Sequence, residues 1–218
     1  PRSLLNGPTG SAASTLAVVD EVADAYEAVA DRYIELFGHT SSVHPDDLAV
    51  IERHLTPSSR SVLDAGCGPG HLTAHLASRG ADPIGVDAAP SFVDHARRTT
   101  GMDRFAIGSL RSLPLRDRSV SGLLAWYSLI HLPPNEVGSI LAELRRVAAD
   151  GATLVAGFFD GDLATEFAHK VTTAHVWPID ELSALLPDVG FREVDRLQRA
   201  SDPSSGTRAQ ATLVAVAR

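Results

Sequence analysis

Residues 61–90 read SVLDAGCGPGHLTAHLASRGADPIGVDAAP, and they constrain the fold more than any other stretch. A short apolar run climbs to Asp64. Gly66, Gly68 and Gly70 follow at alternate positions, a helical pattern begins, and a second apolar run ends at Asp87. Glycines at such a point let the backbone turn sharply from strand to helix and come close to a bulky ligand. Two strands joined through a helix pair in parallel, so the stretch reads as a βαβ unit.

The alternation continues downstream. PSFVDHARRT reads as a helix with Pro90 near its first position, DRFAIGS as a strand, LRSLPLRDRS as a polar loop and VSGLLAWYSL as a strand. NEVGSILAELRRVA reads as a long amphipathic helix and GATLVAGFF as a fifth strand. Strands alternating with helices predict an α/β fold: a parallel sheet covered on both faces. Residues 160–177 are polar and read as irregular. PIDELSALLPDVG is then a helix, and FREVDRLQRA and RAQATLVAVAR are strands whose joining loop, SDPSSGT, is too short for a crossover helix. That last pair should be antiparallel.

Before the first strand, residues 1–14 are rich in Gly, Pro and Ser without a period and read as a flexible tail. Leu16, Val19, Val22, Tyr26, Val29, Tyr33 and Phe37 fall at helical spacing up to Gly38, which predicts one helix over 15–37. Pro45 opens a second helix to about Leu55, closed by Pro57. Residues 15–218 therefore form a single domain with an N-terminal helical cap over about 15–56.

The glycine turn has three possible ligands. A dinucleotide needs G-x-G-x-x-G, but from Gly66 and Gly68 the third position is His71. A phosphate loop needs G-x-x-x-x-G-K-[ST], and no lysine follows. A nucleoside without phosphates remains. Asp87, 19 residues past Gly68, suits it, because a carboxylate accepts hydrogen bonds from both ribose hydroxyls.

With D-x-G-x-G-x-G at Asp64, Gly66, Gly68 and Gly70, Asp87 closing the next strand, and YSLIHLPP and ILAELRRVAADGATLV later in order, the chain resembles the small bacterial class I S-adenosylmethionine-dependent methyltransferases over roughly residues 24–218. The resemblance implies a Rossmann-like seven-stranded sheet of order 3-2-1-4-5-7-6 with strand 7 antiparallel and helices on both faces. It also implies S-adenosylmethionine as cofactor, S-adenosylhomocysteine as product, and methyl transfer by in-line displacement. Implied cofactor contacts are Asp64, Ala65, Gly66, Cys67, Gly68 and Gly70 in the turn, Asp87 and Ala88 at the ribose, and Phe92 against the adenine. Ser109 and Leu110 stand at the adenine edge, where family members often carry Asp instead of serine. Ala125 and Tyr127 end the fourth strand at the methionine part, and Tyr26 and Tyr33 reach over from the leading helix. The Asp87 carboxylate is expected to face the ligand, so that its removal changes folding little.

The acceptor and its chemistry are less determined. A phenol or alcohol acceptor needs a base, whereas an amine or activated carbon needs none. His131, after the fourth strand, is the most tempting base, but HLPP also reads as a structural turn, so no catalytic residue is assigned. His71 and His75 stand four apart on one helix without accompanying carboxylates, and no metal is expected. His169 and His175, in the stretch 160–177, are candidate linings of the acceptor pocket for which a solvated loop is the plainer reading, and Trp126 and Trp177 read equally well as pocket walls and as core. Cys67 is the chain's one cysteine, which excludes an intramolecular disulfide and reads as a small filler in the turn.

A net charge of −8 argues against nucleic acid as partner, and the arginines of residues 97–118 read as solvated surface. Among the basic residues only Lys170 is lysine, which, with the alanine richness, points to a GC-rich bacterial source. No run reaches the ~18 apolar residues of a membrane span. The expected protein is a cytoplasmic enzyme acting on a small-molecule acceptor. A tRNA or protein methyltransferase, or a non-catalytic cofactor-binding protein, stands as the alternative.

Overall fold

A computed structural model describes residues 21–56, 61–204 and 206–218. The expected tail, the start of the leading helix and Pro57 lie outside them. In chain order the elements are α1 (Glu21–Glu27), α2 (Ala30–Phe37), α3 (Pro45–Leu55), β1 (Ser61–Ala65), α4 (His71–Ser78), β2 (Asp82–Asp87), α5 (Pro90–Thr100), β3 (Phe105–Ile107) and β4 (Val120–Trp126). They continue with α6 (Pro134–Val147), β5 (Ala148–Phe159), β6 (Thr165–Ala168), β7 (Thr173–Val176), α7 (Ile179–Leu185), β8 (Phe191–Arg199) and β9 (Gln210–Ala217).

The main sheet runs β3-β2-β1-β4-β5-β9-β8. The links from β3 to β5 are parallel, and β9 is antiparallel to both its neighbours. This is the expected order 3-2-1-4-5-7-6, with β8 and β9 as its sixth and seventh strands. The alternation of side chains along a strand builds two cores. Val62, Leu124, Val155 and Val214 meet Val50, Ile51 and Leu55 of α3 and Leu72 and Leu76 of α4. Leu63, Leu123, Leu154 and Leu213 meet Ile140, Leu141 and Leu144 of α6 and Ile179 and Leu182 of α7. On the first side, buried Asp47 of α3 is held by two bonds from Arg199 and one from Thr212 Oγ1 at 2.8 Å, which pins α3 to β8 and β9.

Three expectations need correction. The stretch 160–177 is not irregular: β6 and β7 form an antiparallel hairpin whose end joins β5 through Phe159 and Val176. Phe167 supplies its packing, edge-on to Phe159 at 5.3 Å and under the Arg208 guanidinium at 3.9 Å. The leading helix is broken between Glu27 and Ala30. At the break Tyr26 is bonded to His131 and Glu27 to Ser91, tertiary bonds on consecutive residues that a straight helix must accommodate or yield to. Finally, the polar loop after β3 hides Leu113 and Leu115 in the α6 core.

Candidate cofactor and acceptor site

All the features of the site gather at the carboxyl ends of β1, β2 and β4, where open α/β sheets place ligands. The turn after β1 is tied to β2, with the amides of Gly66 and Cys67 donating to the Val86 carbonyl at 2.8 and 3.1 Å. Gly66, Gly68 and Gly70 all take positive φ, at 77°, 51° and 83°, which L side chains adopt only under strain. Their reasons differ. A Cβ on Gly66 would lie 2.5 Å from Ser128 Cβ, and one on Gly70 would lie 2.7 Å from Ala96 Cβ and 2.9 Å from the Phe105 ring. A Cβ on Gly68 would meet no protein atom within 4 Å. Gly70 thus serves helix packing, whereas Gly68 leaves space on the cavity side.

Asp87 works on the protein as well as facing the cavity. Its Oδ2 accepts from the Gly68 amide at 2.7 Å and its Oδ1 from the Ala89 amide at 2.9 Å. The carboxylate therefore holds the glycine turn and the start of α5 in register, two bonds that give its removal a stability cost beyond the small change expected from the sequence. Asp87 shares a cavity with Ala88, Phe92, Ser109, Leu110, Tyr127 and Ser128. Ser109 Oγ accepts from the Arg111 amide at 3.2 Å and so shapes the turn after β3. Ser128 Oγ is buried without a protein partner and lies beside Gly66.

A second cavity adjoins the first. Both are bounded by Tyr26, Tyr33, Gly66, Gly68, Trp126 and Tyr127. The second extends to Phe37, His44, Asp47, Asp64, Cys67, His71, Phe159, His169 and Gln210. Tyr127 stands between the two with φ 54°, an uncommon conformation for an aromatic residue and one that concentrates at functional sites. Room for the neighbouring Trp126 ring comes from Gly157, where a Cβ would sit 2.4 Å from it.

The cap closes over both cavities with aromatic rings. Tyr26 and Tyr33 meet edge to face at 5.2 Å, and both pack on Phe92, at 5.8 and 5.3 Å. Seven residues of straight helix rise about 10 Å, so the break after Glu27 is what lets the two rings meet. The Tyr26 hydroxyl pairs with His131 Nε2 at 2.8 Å, and His131 Nδ1 pairs with the Thr173 carbonyl at 2.7 Å. A carbonyl only accepts, so Nδ1 carries the proton and Nε2 accepts from Tyr26. Burial lowers the pKa of His131, which favours this neutral form. His131 is thus occupied in joining α1 to the hairpin. Tyr33, pushed up to about 12 by burial and then by Asp87, is a neutral hydroxyl with no hydrogen-bond partner among the described residues.

Asp64 is fully enclosed. It accepts from Thr73 Oγ1 at 2.6 Å, yet burial, with Asp87 adding to it, lifts its carboxyl to about 7. Burial likewise drives His71 and His169 down to about 4, so both rings are neutral near pH 7. The Nδ1 atoms of both are buried and lack a partner. His75 pairs with Glu52 at 2.8 Å, and the described residues contain no His/Cys/Asp/Glu cluster suited to a metal ion. Cys67 is buried among Val93, Ala96 and Phe105, with its thiol pushed well up, chiefly by burial.

Of the residues expected at the cofactor, Tyr26, Tyr33, Asp64, Gly66, Cys67, Gly68, Asp87, Ala88, Phe92, Ser109, Leu110 and Tyr127 line one cavity or both. Ala65, Gly70 and Ala125 do not: Ala65 and Ala125 point into the α6 core beside Leu123. Sequence reasoning missed Ser128, whose neighbour Gly66 is distant in the chain, and Gln210 at the start of β9.

Residues 62–151 match a family described as a methyltransferase domain. The malonyl-[acyl-carrier protein] O-methyltransferase of Yersinia pestis is 34% identical over 94 residues, covering 43% of this chain and 34% of that protein. The magnesium-protoporphyrin O-methyltransferase of Rhodobacter capsulatus is 35% identical over 88 residues, 38% of each chain. The chain thus matches little more than a third of either relative's length. Across nearly the whole fold it is similar to the Burkholderia thailandensis 1,6-didemethyltoxoflavin-N1-methyltransferase, solved with 1,6-didemethyltoxoflavin and S-adenosylhomocysteine bound. That likeness has a TM-score of 0.70 and 20% identity over 99% of both chains.

Proposed function

We propose that this chain, which carries the methyltransferase domain and fold of the class I S-adenosylmethionine-dependent methyltransferases, moves a methyl group from that cofactor to a small-molecule acceptor. The observation carrying the reading is the Gly68 amide held at 2.7 Å on the Asp87 carboxylate, with open space on the side where Gly68 lacks a Cβ. The residues present fit the cofactor. Asp87 keeps acceptor capacity for two ribose hydroxyls, and Phe92 and Leu110 offer apolar surface to a base. Ser128 Oγ is an orphaned buried polar atom in the same cavity, and Tyr33 offers a free hydroxyl toward an amino-acid end. When bound, S-adenosylmethionine supplies an electrophilic methyl on a sulfonium.

What the chain supplies is position and dryness. Asp87 and the glycine turn fix the nucleoside. Tyr26, Tyr33, Trp126 and Tyr127 surround the junction of the two cavities, where aromatic faces favour a cation and exclude water. The second cavity is then the acceptor chamber. Arg97, Arg111 and Arg118 are spent on Asp94, Glu136 and Asp150 rather than forming a basic path, which supports a small acceptor over nucleic acid. No helix among the described residues is long and apolar enough to cross a membrane. A cytoplasmic bacterial enzyme is part of the same reading.

Calorimetric titration with S-adenosylhomocysteine tests the site directly, and micromolar binding is expected. Two glycine variants sharpen it. Gly68→Ala should cost only about 1–2 kcal/mol of stability for its backbone conformation, yet lower affinity at least ~10-fold, because its methyl enters the ligand's space. Gly66→Ala should cost about 2–5 kcal/mol of stability through the clash with Ser128 plus the same strain. Wild-type affinity in a folded Gly68→Ala protein would move the ligand elsewhere.

The cap should respond to the ligand. Among the described residues α1 buries none and α2 buries only Ala30, so few apolar contacts hold it. It is tethered through Tyr26 to His131, Glu27 to Ser91, and Lys170 Nζ 5.1 Å above the Phe37 ring. Amide hydrogen exchange over residues 21–42 should slow about tenfold or more when S-adenosylhomocysteine binds. Equal protection with and without it would make the cap a fixed scaffold.

A further inference from the structure

The acceptor chamber holds polar atoms that neither the fold nor the cofactor site uses. The most telling is His169 Nδ1, at the tip of the β6–β7 hairpin, buried and without a partner. An orphaned nitrogen of this kind costs stability unless a ligand meets it. Its ring is held by His131 at 5.4 Å, Phe159 at 5.9 Å and Phe167 at 6.1 Å. Gln210 adds a polar group of another kind, lining the chamber without being a buried orphan. Its Oε1 accepts from Arg199 at 2.7 Å, and a guanidinium only donates, so the amide orientation is fixed. Its Nε2 is left as a donor with no partner among the described residues.

The walls of the chamber are flat and carry no cation. Phe37, Trp126, Tyr127 and Phe159 line it, and no lysine or arginine side chain does so among the described residues. Of the two carboxylates in its lining, Asp47 is already paired with Arg199, and Asp64 opposes a second negative charge when ionised. A planar ring fits between such walls, and a carboxylate acceptor does not.

We propose that the acceptor is a planar, uncharged aromatic compound bearing a hydroxyl, and that His169 Nδ1 is the catalytic base that receives the hydroxyl proton. This rests on the methyltransferase reading above. As the acceptor oxygen bonds to the methyl carbon, the carbon–sulfur bond breaks and its electron pair stays on sulfur. The proton of the hydroxyl passes to His169 Nδ1, free to accept when the ring proton sits on Nε2. Gln210 Nε2 donates to a second polar atom on the acceptor and sets its orientation. The groups acting on the His169 ring are His131, Lys170 and Arg208, all of which, after burial, disfavour its charged form. It is therefore neutral at every pH above about 4, and because burial also lowers its basicity the proton moves to it only as the oxygen–methyl bond forms, not before.

A matched pair of probes, 2-naphthol and 2-naphthoate, tests the assignment, since they share a shape and differ in charge. With S-adenosylhomocysteine present, 2-naphthol should bind at least tenfold more tightly than 2-naphthoate; with methyl-labelled S-adenosylmethionine in its place, radiolabelled methyl should appear on the naphthol oxygen. His169→Gln should leave S-adenosylhomocysteine affinity within about twofold of wild type. It should slow transfer about 10²–10³-fold at pH 7, with the deficit shrinking as pH rises and naphthol ionises unaided. A merely structural role for His169 would lower the rate by the same factor at every pH, and that result would overturn the proposal. Preference for naphthoate, or binding of neither probe while S-adenosylhomocysteine binds, would overturn the acceptor class alone. Failure of S-adenosylhomocysteine to bind would overturn the methyltransferase reading as well.

Discussion

Asp87→Ala should weaken S-adenosylhomocysteine binding by about 2–4 kcal/mol, roughly 30- to 1,000-fold, the scale of two lost charge-assisted hydrogen bonds after water replaces part of each. The structure adds a second cost. The carboxylate also receives the Gly68 and Ala89 amides at 2.7 and 2.9 Å, so alanine leaves two part-buried donors to find water. Loss of those bonds should lower the unfolding free energy by about 1–3 kcal/mol and loosen the turn that the nucleoside rests on. Asn is no rescue: one of its two positions must be an NH₂ facing an amide N–H. Calorimetric titration beside a denaturant melt separates the two effects. Undiminished affinity in a folded Asp87→Ala protein would remove this residue from the ligand site.

Local geometry explains why so much of this site was readable in the chain. A turn between a strand and a helix must be made by consecutive residues, so Gly66, Gly68 and Gly70 declare it, and Asp87 ends the adjacent strand. Even there the residues alone did not separate roles. Gly70 shares the pattern but answers to Ala96 and Phe105, two packing partners distant in the chain. Ala125 was misplaced by one position, because strand alternation sends it to the α6 core and gives the cavity to Trp126 and Tyr127.

What stayed hidden depends on contacts distant in sequence. Hydrophobic period records which face of a helix is apolar, not whether its backbone is continuous. The pattern from Val22 to Phe37 therefore ran unbroken across a break accompanied by bonds to His131 and Ser91. The β6–β7 strands are four residues each, β6 largely exposed and β7 burying only Ala174 and Val176, too short for an alternating signal to stand out from a polar loop. His169, readable in the chain as a candidate pocket wall, reaches the site because that hairpin folds back beside β5, and Gln210, which was not, because β9 inserts next to the same strand.

Asp64→Asn should make the protein more stable at pH 8 and no more stable at pH 4. Asp64 titrates near 7 in the fold, against 3.8 without it, because burial penalises its charge more than the Thr73 hydroxyl relieves it. Between those values the native state holds a proton that the unfolded chain releases. Stability is therefore highest at the acid end and falls as pH rises through roughly 4 to 7, by up to about 4 kcal/mol. Asn resembles the protonated form and still accepts from Thr73, so it escapes that loss. Its NH₂ needs a new acceptor, which offsets part of the gain and leaves about 1–3 kcal/mol at pH 8. The ligand should reverse the preference. Asp64 stands two residues before Gly66, and the sulfonium and ammonium of a cofactor bound at the glycine turn favour the ionised carboxylate. Binding of S-adenosylmethionine should therefore strengthen between pH 6 and 8 in the wild type and stay flat in the variant. Denaturant melts at pH 5 and 8, with titrations at the same two values, test both halves. Parallel pH slopes for the two proteins would mean that Asp64 is already charged in the fold, and that the chamber solvates it better than its burial implies.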